Sequence, residues 1–433
     1  MLQHAVRLAS VTGLSLFGSL INFLVQATIA YRFGVGPAVD AYFYALGVPA
    51  FVAGLLAACI SYVTVPELAK AANRPSEARA LSAALLSLII RIAFLVALAA
   101  LPALLLQPAL LPAHSAIRSE AQLSSLIVFS WLAGGVQVIN GLLVARLNAV
   151  GRPLSASLLA LPPGLITIGI LLLAPTLGIW LATAGLLVGT MSVTLIGIAL
   201  QRDGFAWSDV NIHKKSALPI PRSAWLSVVA LSCFSTYAVI DSFWAPRAGP
   251  GVLSTLGYAQ RILIGIGSLL TVGPSAIAVP YLARLVDRGD GAGFRQLMGK
   301  IVLLVAIMGG LMASAVWLWS EEIVAILFRR GAFSAAAVHE ASAALMHLAP
   351  GMAAMLIGVM LMRAFFCLSG GYTWPALIGL GWSLLYFALS GLFVERQVVG
   401  LADAYSVAWI VTIILASILL WRRSVSVGQL EQR

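Results

Sequence analysis

The sequence predicts an all-α polytopic membrane protein, with about twelve transmembrane helices in two parallel six-helix repeats. Three observations carry this prediction. Of the 433 residues, 61% are hydrophobic and only 9% are charged, against roughly 25% charged in an average soluble protein. Apolar runs of about 20 residues, long enough to cross a bilayer as a helix, recur along the whole chain. Two landmarks of the first half recur in the second at nearly one offset. So few charges could not cover a soluble fold of this size. That excludes a soluble enzyme, a nucleic-acid-binding domain and a disordered chain. A transmembrane barrel is excluded as well, because its strands alternate over about 10 residues and do not form long apolar runs.

The spans fall at 9–30, 41–64, 80–106, 122–147, 154–175, 178–200, 224–245, 253–283, 300–320, 337–366, 374–394 and 399–421. Backbone groups in lipid must be satisfied within the segment, so each span is read as a helix. Pro162–Pro163, Pro274 and Pro350 lie inside spans and predict kinks or broken turns. The stretch EEIVAILFRRGAFS (321–334) suits a short interfacial helix. The longest polar connector, 201–223, holds His213, Lys214, Lys215, Pro219 and Pro221 and reads as an interlobe linker. The domain plan is therefore an N-terminal lobe (1–200), this linker, a C-terminal lobe (224–423) and a tail (424–433).

The formal net charge is +11. The basic residues sit mostly between apolar runs, which points to topology rather than to nucleic acid. With the N-terminus in the cytoplasm, 18 of the 26 Lys and Arg fall on the cytoplasmic side and 6 outside. Both termini are expected on the cytoplasmic side. The three cysteines, Cys59, Cys233 and Cys367, are too few and too apolar in setting for a disulfide framework. No metal-ligand spacing, P-loop or cleavable signal peptide is evident. No metal, cofactor or enzymatic activity is expected.

The repeat rests on two pairs of landmarks. Val65-Pro66 and Val279-Pro280 lie 214 residues apart, and Arg146 and Arg363 lie 217 apart. Six is even, so both copies enter the membrane from one side, and a central cleft with alternating access is expected.

Charges at bilayer depth are costly, so each one is a functional candidate. Arg261, in Tyr258-Ala259-Gln260-Arg261, is the sharpest. A guanidinium stays ionised and grips phosphate by paired hydrogen bonds; the alternative is an ion pair with Asp241. Arg91, near the middle of the third span, is a second candidate cleft cation. Asp241 is a candidate for cation or proton coupling. Asp40 and Asp403 sit at helix starts, where a helix N-terminus alone accounts for an acid. Asn22 and Gln26 share a helix face at i, i+4 and are candidates to line the cleft or bond a neighbouring helix. His347 and Tyr237 stand too isolated to interpret. Trp207, Trp225, Trp244, Trp374, Trp382 and Trp421 read mostly as interfacial anchors.

Several motifs resemble the MurJ (MviN) family of the MOP exporter superfamily. They are Phe33-Gly34-Val35-Gly36 with Asp40-Ala41-Tyr42-Phe43, Val48-Pro49 and Val65-Pro66; then Tyr258-Ala259-Gln260-Arg261 with Val279-Pro280; then Leu327-Phe328-Arg329-Arg330-Gly331-Ala332-Phe333 with Arg363-Ala364-Phe365-Phe366. They run in order over most of the chain. The resemblance implies MATE-like lobes and a flippase for an undecaprenyl-pyrophosphate-linked saccharide, with lipid II as the best-known cargo. It implies that Arg261 meets the pyrophosphate, that Asp40 flanks the outer gate and that Asp241 stands at an acidic cation position. Drive would come from Na+ or H+ or from the membrane potential. The implied partners are the lipid-linked saccharide, membrane lipids and cell-wall or polysaccharide assembly proteins.

The chain departs from the family in places. Gln26 and Ser19 stand where first-helix arginines are usual. Phe51-Val52-Ala53-Gly54 replaces a basic element, and Tyr386 and Ser390 lie near an expected asparagine and aspartate. Many members have fourteen helices. An exopolysaccharide unit is therefore a second candidate cargo. A MATE-like exporter of cations needs more cleft carboxylates than this chain offers. A transport-inactive scaffold is the remaining alternative.

Overall fold

The computed structural model describes residues 2–71, 74–174, 176–210, 228, 232–368 and 373–427, with backbone alone at 2–9, 63, 268–280 and 424–427. Among the described residues there is no strand. Among the described residues, nine segments are long and apolar enough to cross a membrane, and one of them, Thr373–Arg423, contains two helices. The chain forms two compact units, Met1–Val228 and Val229–Arg433.

In the first unit the helices are α1 (Leu2–Phe33), α2 (Pro37–Lys70), α3 (Pro75–Leu98), α4 (Ala100–Leu110), α5 (Leu123–Ala149), α6 (Pro153–Leu158), α7 (Pro162–Leu173) and α8 (Trp180–Leu200). The α1–α2 turn is made by Gly34 at φ 65, a left-handed conformation that closes a helix and suits glycine. The third span breaks at Ala99 into α3 and α4, and the fifth breaks ahead of Pro162 into α6 and α7. The second break was expected: Pro162 and Pro163 cannot continue a helix but can start one.

Large apolar side chains face outward at depth, such as Leu105 at 81% exposed and Leu173 at 87%. A soluble unit would hide them; here they meet lipid. Inside, helices approach through small residues and shared polar groups. Asn140 of α5 donates to the Thr190 carbonyl of α8 (2.9 Å) and accepts from the Thr194 hydroxyl (2.7 Å). Arg32 ends α1 and donates to the Leu171 carbonyl at the end of α7. A cation there complements the unpaired carbonyls of a helix C-terminus.

The first residues of the expected linker belong to this unit's fold. Phe205 is 3% exposed and lies in one apolar cluster with Leu85, Leu86 and Val138. Arg146 stacks over its ring (4.9 Å) and donates to Ser82 (3.1 Å) and Gln201 (3.0 Å). The linker's remaining residues, 211–223, lie outside the described residues.

In the second unit the helices are α9 (Tyr237–Ala248), α10 (Val252–Asp287), α11 (Gly291–Leu318), α12 (Ser320–Phe328), α13 (Ala335–Cys367), α14 (Thr373–Phe393) and α15 (Gln397–Val427). The short α12 coincides with the interfacial helix read from EEIVAILFRRGAFS. α10 passes through Pro274 as helix, while Pro350 lies inside α13. α13 is the central element: Ala349, Met352 and Ala364 are fully buried. Its lower half joins Phe294, Met298 and Leu420 in the main apolar cluster.

Candidate functional site

The second unit buries one acid at depth. Asp241 on α9 is 2% exposed. The Gln260 amide of α10 donates to its Oδ2 at 2.7 Å, and the Tyr386 hydroxyl of α14 donates to its Oδ1. Three helices thus converge on one carboxylate. A buried charge without such donors would be strongly unfavourable.

An aromatic layer surrounds this cluster. Trp382 and Tyr386 lie one turn apart on α14, and Tyr405 and Trp409 one turn apart on α15, so each pair shares a face. Trp382 stacks on Tyr386 (5.6 Å), and Trp409 stacks on Phe234 (5.2 Å). Trp382 is 1% exposed, so it is a core residue and not an interfacial anchor. Its apolar neighbours gave it the same sequence signature as an anchor. Beside Gln260 lies a cavity of about 50 Å³, lined in part by Tyr237, Ile264, Met352, Met355 and Tyr405. A water needs about 10–15 Å³ of such space, so a few waters fit.

Arg261 follows Gln260 directly but points out of the unit: it is exposed, and no hydrogen bond or ion pair engages it among the described residues. The alternative of an Arg261–Asp241 ion pair is therefore corrected. Two neutral donors already fill that role, and successive residues on a helix face directions about 100° apart. Arg261 lies near enough to Tyr237 for its charge to act there. Tyr258, one turn before, is fully buried against Phe328 (5.2 Å) and Phe333 (5.5 Å). So the Tyr258–Arg261 and Leu327–Phe333 motifs, far apart in sequence, pack together and fix the face from which Arg261 projects.

In the first unit, Arg91 is half-buried on α3, and its Nε is buried without a hydrogen-bond partner. Asn22 is exposed, whereas Gln26 is 6% exposed with its Oε1 buried and unpaired. The i, i+4 spacing put both on one helix face, but depth differs along that face, and only Asn22 is open. Asp40 is 1% exposed in the first turn of α2, where the helix N-terminus favours an acid.

Sequence reasoning missed two groups. Tyr386 carries no motif, and the Tyr258–Arg261 motif that contains Gln260 says nothing of Asp241; only the fold brings the two donors to that acid. His347 is not isolated: its Nδ1 lies 2.8 Å from Asp403. Asp403 in turn lies two turns inside α15, not at its start, with Arg396 at 3.9 Å. No group of three or more His, Cys, Asp or Glu placed to hold a metal occurs among the described residues.

The family model described as lipid II flippase MurJ matches residues 29–431. The chain belongs to the MurJ family. A curated MurJ-family relative, "Probable lipid II flippase MurJ" of Rhizobium meliloti (strain 1021), is 23% identical over 435 residues, covering 96% of this chain and 80% of that one. Among solved structures, a lipid II flippase MurJ in an inward closed conformation superposes with TM-score 0.76 at 17% identity, over 97% of this chain and 90% of that one. A MATE multidrug transporter of the MOP superfamily in an inward-facing conformation gives TM-score 0.78 at 15% identity, over 95% and 96%. These two likenesses speak for the fold. The chain thus shares its fold with both of these transporters.

Proposed function

We propose that this chain is a flippase for a lipid-linked saccharide, with lipid II as the first candidate cargo, working by alternating access across the inner membrane. Family membership supports the cargo class. The observation that carries the site is Arg261: a guanidinium in the segment read as the eighth span, exposed, with no hydrogen bond or ion pair among the described residues, beside a residue locked into the core. Such a group is costly at depth unless it meets water or an anion. A pyrophosphate supplies the anion, and paired hydrogen bonds supply the grip. The polyprenyl tail stays in lipid, so only the headgroup needs a polar route. Within the first unit, Arg91, with a buried Nε that has no hydrogen-bond partner, and the exposed Asn22 are kept as candidate polar contacts. Asp40 is proposed as a gate residue.

Asp241 is proposed for ion coupling, and its surroundings fit a proton better than a metal cation. The two groups that touch the carboxylate are donors, which point hydrogens at it. A metal cation needs several oxygen lone pairs instead. Both termini are proposed to lie in the cytoplasm, a reading supported by the excess of Lys and Arg on that side.

Export of a cationic drug is less well supported. Arg261 repels a cation, and Asp241 is enclosed by its donors. An exopolysaccharide unit remains the second cargo, since it would present the same pyrophosphate.

The experiment is complementation of a conditional lipid II flippase mutant, with Arg261→Ala as the control and membrane abundance measured for both. Rescue by the wild type and its loss in the variant are expected. Absence of rescue at normal abundance would move the assignment to another lipid-linked saccharide.

A further inference from the structure

Pro350 has no N–H, so the Met346 carbonyl four residues earlier lacks its usual helical donor. The next rung is modified as well. The Gly351 N–H donates to the Ser406 hydroxyl of α15 at 3.0 Å, and that hydroxyl donates to the His347 carbonyl at 2.6 Å. Gly351 and His347 are the pair that an uninterrupted α-helical ladder would join directly. Ser406 is buried, and a Cβ on Gly351 would meet its Cα and Oγ at 2.6 Å. Glycine is therefore what lets the two helices approach here. One turn before Ser406, Asp403 holds the His347 side chain at 2.8 Å. The same residue of α13 is thus held twice by α15, once through its backbone and once through its ring.

We propose that α13 hinges at Met346–Gly351, and that Ser406 and Asp403 form the latch that holds it in the conformation seen here. Two consecutive rungs of the ladder depend on something other than the helix itself. Side chains inserted into a ladder and prolines are two of the common origins of a helix bend. The Ser406 hydroxyl is buried, and it accepts from the Gly351 N–H and donates to the His347 carbonyl, so both groups of that rung find a partner on α15. Met352 and Met355, on the next turn, line the cavity beside Gln260. Opening the hinge would therefore reshape the space next to the Asp241 cluster within this unit.

The test pairs amide hydrogen exchange with transport on the full chain in lipid nanodiscs. The transport arm rests on the flippase reading; the exchange arm does not. Ser406→Ala removes the bridge, and exchange in the segment 346–352 should rise about tenfold while 356–364 is unchanged. Pro350→Ala restores the missing N–H, so exchange in the same segment should fall, and transport should fall about fivefold or more as the hinge stiffens. His347→Gln keeps the contact to Asp403 and should leave exchange near the wild-type value. Unchanged exchange in Ser406→Ala, or full transport by Pro350→Ala, overturns the proposal. Should the wild-type chain itself move no lipid-linked saccharide, the flippase reading falls, and exchange alone decides the hinge.

Discussion

Gln260 and Arg261 are adjacent on α10 and face opposite environments. The Gln260 amide is tied to the buried Asp241 carboxylate at 2.7 Å, while Arg261 stands exposed with no hydrogen bond or ion pair among the described residues. The inward residue anchors the helix rotation, and that rotation aims the outward one. Tyr258, buried one turn earlier against Phe328 and Phe333, fixes the same rotation independently.

Substitutions at the two positions should therefore separate. Arg261→Ala removes a charge-assisted contact of about 1.5–3 kcal/mol to the anion, so transport should fall about tenfold or more. Its thermal stability should change by no more than about 0.5 kcal/mol, since no hydrogen bond or ion pair engages it among the described residues. Arg261→Lys should recover only part of the rate, because an ammonium cannot make the planar paired contact. Gln260→Ala should do the reverse and lower stability first. Transport rates and detergent melting curves on the same preparations decide this, and equal loss of stability at both sites would contradict the assignment.

At Asp241 the partners predict a ranking. Tyr386→Phe removes one donor from a buried carboxylate and should cost about 1.5–3 kcal/mol. Asp241→Asn removes the charge but leaves an oxygen for the Tyr386 hydroxyl, so it should be the milder change in stability. It should nonetheless abolish any dependence of transport on the proton gradient. Denaturant titration gives the first comparison and uptake with and without an uncoupler gives the second. If Tyr386→Phe melts like the wild type, the hydroxyl does not support the acid.

How much of this was readable beforehand differs by kind of information. The spans were readable because bilayer depth imposes a length and a hydropathy that no other environment demands. Asp241 and Arg261 stood out because charges are rare in such runs. The donors to Asp241 did not, since Gln260 and Tyr386 are ordinary residues 19 and 145 positions away, and nothing local marks the approach. His347 and Asp403, 56 residues apart, were hidden for the same reason. Asn22 and Gln26 show a further limit. Helical spacing gives a direction around the axis, and the neighbouring helix decides which of two residues on that face is covered.

Arg146 serves as a structural hub of the first unit, which its place among the cytoplasmic basic residues did not suggest. It binds Ser82 and Gln201 and covers the Phe205 ring. Arg146→Ala takes the donor from the Gln201 side-chain oxygen, removes one bond to Ser82 and uncovers an aromatic ring, so a loss of about 1–3 kcal/mol is expected. Arg146→Lys should recover less than half of this, because one ammonium cannot reach both partners and lie flat on the ring. Melting curves of the three proteins test it; a lysine variant as stable as the wild type would reduce Arg146 to a topological charge.

Two glycines of the first unit offer a matched test of the packing. A Cβ on Gly189 of α8 would lie 2.4 Å from the Pro163 Cα and 3.0 Å from its carbonyl oxygen. Both obstacles are backbone, so a methyl there forces α7 and α8 apart, at a cost of about 1–3 kcal/mol. On Gly169 of α7, a Cβ would meet nothing within 4 Å. Alanine in a helix interior is favoured over glycine by about 0.5–1 kcal/mol, so Gly169→Ala should be neutral or stabilising. The same substitution, on helices that pack against each other, should thus shift the melting temperature in opposite directions. A stable Gly189→Ala variant would show that α7 and α8 do not meet through this contact.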